Sequence, residues 1–280
     1  MAHRIAPLAR TLLCATLLSL AGCASLPLPV GTLPADPVRA EQAYREGLSY
    51  TQGAGVTQDY AQGMQSFKQA ARLGSADAAY MVGMGYLTGR GVARDDASAA
   101  RWLEVANRAG HRAATFQLGK LHLNGQGVTR DRAWGALLLG LAASAGHSRA
   151  MLELAVCYRT GLGVPTDPGL AWYWADQARR NDANPLIQTV SDKLYRDSSD
   201  AQRQSAAARA ASAQNRPLGL AGATYAQQQL QRLGYNPGQA DGLWGPASNR
   251  ALDAFRTAHS LPRGRPPDNA DLLRLRALSH

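Results

Sequence analysis

Gly89-Arg90-Gly91-Val92-Ala93-Arg94-Asp95 decides the fold, because the same loop occurs four times in the chain. Its counterparts begin Gly53-Ala54-Gly55-Val56, Gly125-Gln126-Gly127-Val128 and Gly161-Leu162-Gly163-Val164, each 36 residues from the next, with Asp59, Asp131 and Asp167 at the register of Asp95. Ala70, Ala106, Ala142 and Ala178 keep the same period, so five columns are identical in all four copies. Gly47, Gly83 and Gly119 form a further column broken at Ala155, and Gly74, Gly110 and Gly146 another broken at Asp182. A fixed period of this size marks stacked supersecondary units, each of which buries its apolar face against its neighbours.

Working outward from the loop, each column has a mechanical role. The segment from Asp77 to Thr88 carries apolar residues at helical spacing, and Gly89 stands where a helix ends in a left-handed residue. The aspartate four residues after the second glycine is placed to cap the next helix, its carboxylate accepting N–H groups that the first turn leaves free. The loop valine is expected to plug the gap between helices. Small residues at Gly63, Ala99, Gly135 and Ala171, with the invariant alanine, let neighbouring helices approach closely. Each unit therefore predicts a helix-turn-helix.

Composition agrees. Alanine occurs 52 times against 2 isoleucines and 10 valines, which favours helix over sheet. The chain of 280 residues, 45% hydrophobic and 18% charged, is long enough for a repeat array with an appendage and excludes a disordered chain. The net charge of +10 is spread along the sequence rather than gathered into a patch, which argues against a nucleic-acid partner. Mild, even basicity suits an anionic surface such as a cell wall or lipid headgroups, and equally simple solubility.

The loop G-x-G-V-x-x-D, the bulky Trp102, Leu138 and Trp174, and the closing A-x-x-x-G resemble the Sel-one-like repeat, a relative of the tetratricopeptide repeat. The resemblance covers residues 41–182 and implies an all-α solenoid of four paired-helix repeats that serves as a protein-binding scaffold. Residues 183–215 read as capping helices and a linker, with Asn184 and Pro185 opening one helix and residues 199–214 forming another, so that the open end of the stack is shielded. Tyr50, Tyr86 and Tyr158, with His122 in the same column, read as packing beside the glycine loop, with a ligand ladder as the alternative. His111 and His147 fall in repeat-ending turns and are expected to be solvated.

At the N-terminus, Arg4 and Arg10 precede an apolar run too short to span a bilayer, the anatomy of a secretory signal over residues 1–22. Leu20-Ala21-Gly22-Cys23 resembles the bacterial lipobox. That resemblance implies lipidation at Cys23 and, with Ala24 following, sorting to the outer membrane facing the periplasm of a Gram-negative bacterium. Cys14 would leave with the signal, so Cys157, in an Ala-rich helical stretch, is the one thiol left and no intramolecular disulfide can form. Residues 23–40, with Pro27, Pro29, Pro34 and Pro37, read as an extended tether.

After Asn215-Arg216-Pro217-Leu218-Gly219 the period stops, and residues 216–280 predict a small three-helix module: about Tyr225 to Leu233, Ala247 to His259, and a short helix from Asp268 or Asn269. L-x-x-L-G-Y at Leu230 to Tyr235, D-G-x-x-G at Asp241 to Gly245, A-L-x-x-F at Ala251 to Phe255 and D-x-A-x-L-x-x-L at Asp268 to Leu275 resemble the peptidoglycan-binding domain of wall proteins. Arg256 stands at the family's glutamine, Asp271 at its threonine, and Arg263-Gly264 where the family has Thr-Gly. The resemblance implies peptidoglycan contact through Tyr235, Asp241, Gly242, Trp244, Gly245, Arg250 and Arg256. Asp241-Gly242 reads first as a turn; in the alternative its carboxylate and Trp244 border a groove for the wall's stem peptide.

No H-E-x-x-H, C-x-x-C, G-x-S-x-G, S-x-x-K or P-loop motif occurs, so no catalytic residue, metal ligand or cofactor site is expected. The combined expectation is a non-enzymatic outer-membrane lipoprotein that holds peptidoglycan through its C-terminal module and unidentified proteins through its repeats. Its alternatives are a scaffold for export of an exopolysaccharide such as alginate and a regulator of a cell-wall enzyme.

Overall fold

A computed structural model describes residues 36–214, 216 and 218–279. The stretches read as a signal, as a lipobox with Cys23 and, for the most part, as a tether lie outside the described residues. Four helix pairs follow in order: α1 (Pro37–Gln52) with α2 (Tyr60–Arg72), α3 (Ala76–Thr88) with α4 (Asp96–Arg108), α5 (Arg112–Asn124) with α6 (Arg132–Ser144), and α7 (Ser148–Thr160) with α8 (Pro168–Asn181). Residues 37–40, read as the end of an extended tether, are helical instead, because Asp36 caps α1 by accepting the Arg39 N–H at 3.0 Å and Pro37 occupies the first turn, where its missing N–H costs nothing.

The loop columns behave as their chemistry dictates. Gly53, Gly89, Gly125 and Gly161 each end a helix with φ of 71–72°. Asp59 accepts the N–H groups of Ala61 and Gln62, Asp95 those of Ala97 and Ser98, Asp131 that of Trp134 and Asp167 that of Leu170, at 2.8–3.0 Å. Each such cap is worth about 1 kcal/mol. The N–H groups of the four aspartates return to the carbonyls of Tyr50, Tyr86, His122 and Tyr158, so that column serves the loop through its backbone. Ala70, Ala106, Ala142 and Ala178 are fully buried between helices.

The second loop glycine joins one repeat to the one before. A Cβ on Gly91 would meet the Tyr60 carbonyl, one on Gly127 the Asp96 carbonyl and one on Gly163 the Arg132 carbonyl, whereas Gly55 faces open space. Gly55 belongs to the first of the four repeats, and no repeat precedes it among the described residues. The loop valines follow the same gradient: Val56 is exposed and Val164 buried.

Helices α9 (Pro185–Arg196) and α10 (Asp200–Ala213) close the stack, α10 packing on α8 so tightly that a Cβ at Gly169 would meet the Gln202 carbonyl. The C-terminal module comprises α11 (Gly219–Arg232), α12 (Pro246–Ala258) and α13 (Asn269–Leu278). Helix α11 starts six residues before the expected Tyr225, at Gly219, where the stretch that ends the repeat period closes.

That early start matters, because α11 lies on α6 of the third repeat. Ala133 and Leu137 of α6 share one core with Tyr225, Leu230, Leu252, Phe255, Leu272 and Leu275. Trp134 meets Tyr225 edge-on with ring centroids 5.5 Å apart, and Arg276 of α13 stacks over Trp134 at 4.3 Å while pairing with Asp131 at 3.2 Å. The module is thus fused to the repeats, where the sequence pattern suggested a bead on a linker.

Candidate functional site

The D-G-x-x-G loop connects α11 to α12, and one buried amide organises it. Gln227, 1% exposed, accepts the Gly242 N–H at 3.0 Å and donates to the Leu243 carbonyl at 3.1 Å and to Ser248 Oγ at 3.2 Å. Ser248 in turn donates to the Pro237 carbonyl at 3.0 Å. Asp241 Oδ1 accepts the Leu243 N–H at 2.9 Å, closing a tight turn, and Gly242 takes a φ of 78° beneath Leu220 and Thr224, where a side chain would collide.

Past this turn the chain rises to Trp244, half-buried, whose indole Nε1 donates to Asn249 Oδ1 at 2.7 Å. Arg216 donates from Nη1 to the Trp244 carbonyl and from Nε to the Ser212 carbonyl at 3.2 Å, stapling the approach to α11 onto the loop. Between Trp244, Asn249, Asp253, Arg265, Pro266 and Arg216 lies a groove of about 570 Å³. An indole face beside amide, carboxylate and guanidinium groups is a suitable receptor for a short polar peptide.

Arg256 forms part of the groove floor, but its guanidinium turns inward. It is 1% exposed, holds Asp271 through Nε at 3.2 Å and Nη2 at 2.7 Å, and donates to the Arg265 and Pro266 carbonyls at 2.9 and 3.2 Å. Burial alone would raise the Asp271 carboxyl pKa, yet hydrogen bonds from Arg256 and the Asp268 N–H, with the charges of Arg256 and Arg265, bring it below its ordinary value.

Of the residues read as wall contacts, the structure therefore places Trp244 on the groove and Arg256 beneath it. Asp241 lies on the other side of the loop, beside Arg209 and Tyr158, so it and Trp244 do not share a cavity. Gly242 is a packing position. Gly245 caps α12 and Arg250 is exposed on α12 away from the groove lining. Tyr235 sets its ring against Phe255 at 5.8 Å and its N–H on the Leu230 carbonyl at 2.9 Å, which are structural contacts. Asn249, Arg216 and Arg265 were missed; Arg216 and Arg265 sit in Pro-containing linkers with no periodic signal.

The repeat-ending histidines are also less solvated than expected. His111 and His147 cap α5 and α7 through Nδ1, and stack on Tyr80 and Phe116 with centroids 4.4 and 4.6 Å apart. Among the described residues no group of three or more His, Cys, Asp or Glu side chains is arranged to hold a metal, and no helix is long and apolar enough to cross a membrane.

Paired helices stacked at a constant period, with a small helical module fused to their side, define a repeat-scaffold protein. The Sel1 repeat description matches residues 43–75, 76–111, 112–147 and 148–182, and the chain belongs to that family. Residues 222–263 match a putative peptidoglycan binding domain. No curated protein matches the chain. A Sel1 repeat protein from Oxalobacter formigenes superposes with a TM-score of 0.53 at 24% identity, over 56% of this chain and 64% of that one. The antigen c5321, described as protective, present in uropathogenic Escherichia coli strains and displaying an SLR fold, gives 0.55 at 23% identity, over 86% of this chain and 53% of that one. The chain thus spans less than two thirds of either relative, and both likenesses concern the fold alone.

Proposed function

We infer that the protein is a lipid-anchored scaffold that grips peptidoglycan through the Trp244 groove and gathers envelope proteins on its repeats. The lipobox at Cys23 supports an anchor in the outer membrane facing the periplasm, and this reading assigns no catalysis to the chain. The observation that carries the wall-binding half is the groove itself, an indole held edge-fixed by Asn249 within a matched wall-binding module. With Arg256 committed to Asp271, Arg216 is the groove cation available to a stem-peptide carboxylate. Anchoring near the wall raises the effective concentration of the module, so modest affinity suffices for tethering.

The test is sedimentation of the chain with purified peptidoglycan, Cys23 being replaced by Ser to keep it soluble. Trp244→Ala is expected to abolish co-sedimentation with an unchanged helical spectrum, and Arg216→Gln to weaken it and flatten its salt dependence. Asp241→Ala is expected to act through stability. Wild-type protein remaining in the supernatant at low salt overturns the wall-binding reading. Crosslinking in intact cells separates the scaffold reading from export of an exopolysaccharide and from control of a wall enzyme by what is captured.

A further inference from the structure

Consecutive repeat-ending turns enclose a groove of about 720 Å³ lined by Asp77, His111, Arg112, His147, Ser148 and Arg149. Its two histidines are equivalent by the repeat period and make the same contacts. Each accepts a helix N–H at Nδ1, from Ala114 or Ala150 at 3.1 Å, which places the neutral ring's proton on Nε2. Each stacks on an aromatic ring, Tyr80 of α3 for His111 and Phe116 of α5 for His147.

They differ in what Nε2 meets. His111 Nε2 lies 3.3 Å from the Asp77 carboxylate, supplied by the first turn of α3. One period on, the position of Asp77 is held by Ala113, and His147 has no carboxylate partner among the described residues. In its place stand two guanidiniums. Arg112 is fixed at this turn by donating to the Ala145 carbonyl at 2.8 Å, and Arg149 is exposed beside it without an acidic partner among the described residues. Burial lowers the His147 pKa, and the charges of Arg149 and Arg112 push it the same way, as expected of a positive pocket that lacks its counter-charge.

We propose that the His147 turn is a docking site for a carboxylate side chain of an acidic protein segment, seated on Nε2 as Asp77 is seated on His111 and flanked by Arg112 and Arg149. The inference rests on the reading that the repeats carry a protein partner. A peptide carboxylate is favoured over an anionic glycan because the contact already present in the molecule is made by an aspartate on a helix, at the register the groove repeats.

The molecule also supplies its own competitor. Ala113→Asp installs the missing carboxylate on the first turn of α5, a half-exposed site where an acid suits the helix. The assay is fluorescence anisotropy of the full chain with a short labelled peptide of alternating Asp and Gly, its Asn-Gly counterpart, and an oligogalacturonate. Expected results are binding of the Asp peptide alone, weakened about tenfold by Ala113→Asp and by Arg149→Gln and unaffected by Ala113→Asn, in line with one charge-assisted hydrogen bond. Equal binding of the Asp and Asn peptides, preference for the oligogalacturonate, or unchanged affinity in Ala113→Asp overturns the proposal. A cellular partner captured equally well by wild type and Ala113→Asp refutes this groove and leaves the scaffold reading standing.

Discussion

Arg256 and Asp271 form a two-armed ion pair in the interior of the C-terminal module, 1% and 2% exposed, at the two positions where the resemblance drawn from the sequence implied glutamine and threonine. Two departures from that resemblance, fifteen residues apart along the chain, are in direct contact in space. The pair ties α12 to the first turn of α13 and, through the Arg265 and Pro266 carbonyls, fixes the linker that forms one wall of the groove.

Removing either partner alone leaves the other buried with only a more exposed counter-charge, Arg265 at 3.0 Å for Asp271 and Asp253 at 3.3 Å for Arg256, so the cost approaches the about 3–5 kcal/mol of a broken buried pair. Arg256→Gln and Asp271→Thr are each expected to destabilise the protein by that order in urea denaturation. The double variant, which restores the family pair, should recover more than half of the loss. A double variant as unstable as the sum of the singles would show that the two sites are not coupled.

The depressed pKa of Asp271 fixes the sign of an acid effect. Its folded value lies below the ordinary 3.8, so the stability it contributes is fully present above that value and is lost as pH falls through the folded value. Unfolding of wild type should therefore become easier below about pH 4. The double variant should show a smaller acid dependence; an identical pH profile for the two proteins would assign the effect to other carboxylates.

Gly55 and Gly91 have the same backbone, φ of 77° and 76°, and different surroundings. Gly55→Ala should cost about 1 kcal/mol, the strain of a left-handed alanine. Gly91→Ala adds collision with the Tyr60 carbonyl of the preceding repeat and should cost roughly 2–3 kcal/mol. The comparison is read as the difference in melting temperature, and equal losses would mean that the loop does not bear on its neighbour.

The solenoid was legible because its determinants are local and recur: a left-handed glycine, a capping aspartate and a buried alanine at one period, each sufficient to place a helix end. The docking of α11 was not read, although its trace is present. Where the first two repeats carry Gln62, Gln65 and Lys68 or Ser98, Arg101 and Glu104, the third carries Trp134, Leu137 and Gly140, so its second helix is apolar all round. A long-range contact leaves only this departure from the repeat, visible once the copies are aligned and asked why one of them lost its polar face. In the candidate site Trp244 was legible as an aromatic among polar residues. The turn at Asp241-Gly242 was legible as well; that Asp241 and Trp244 face different cavities and that Arg256 turns inward was not, because the direction of a side chain from a turn or helix depends on contacts such as those of Gln227 and Asp271, which no spacing encodes.

Cys157 is buried in α7, where desolvation and then the charge of Glu153 push its thiol pKa up to about 12. In a chain with Cys14 and Cys23 replaced by Ser, it should resist alkylation by iodoacetamide at pH 8 and react once denaturant is added. Labelling of the native protein at a rate near that of a free thiol would show that this part of the stack opens readily.

The apolar face of α6 makes a prediction about the whole chain. Leu137 is 2% exposed in the core shared with α11, and the residue at its register in the second repeat is Arg101. Leu137→Arg, which gives the third repeat the polar face of the second, places an unpaired guanidinium in that core and should cost several kcal/mol, more than the roughly 2–5 of a Leu→Ala change. Gly140→Glu, the exchange matching Glu104, should act similarly, because a Cβ there would meet Ala221 of α11. Both variants are expected to turn one cooperative melt into two, with hydrogen exchange accelerating in α11, α12 and α13 while α1 to α4 keep their protection. Wall binding should weaken as well, since Arg216 leads directly into α11 and holds the Trp244 loop. If exchange in α11 is the same in Leu137→Arg as in wild type, the module folds without the repeats, and the shared core described for α6 and α11 does not hold the two together.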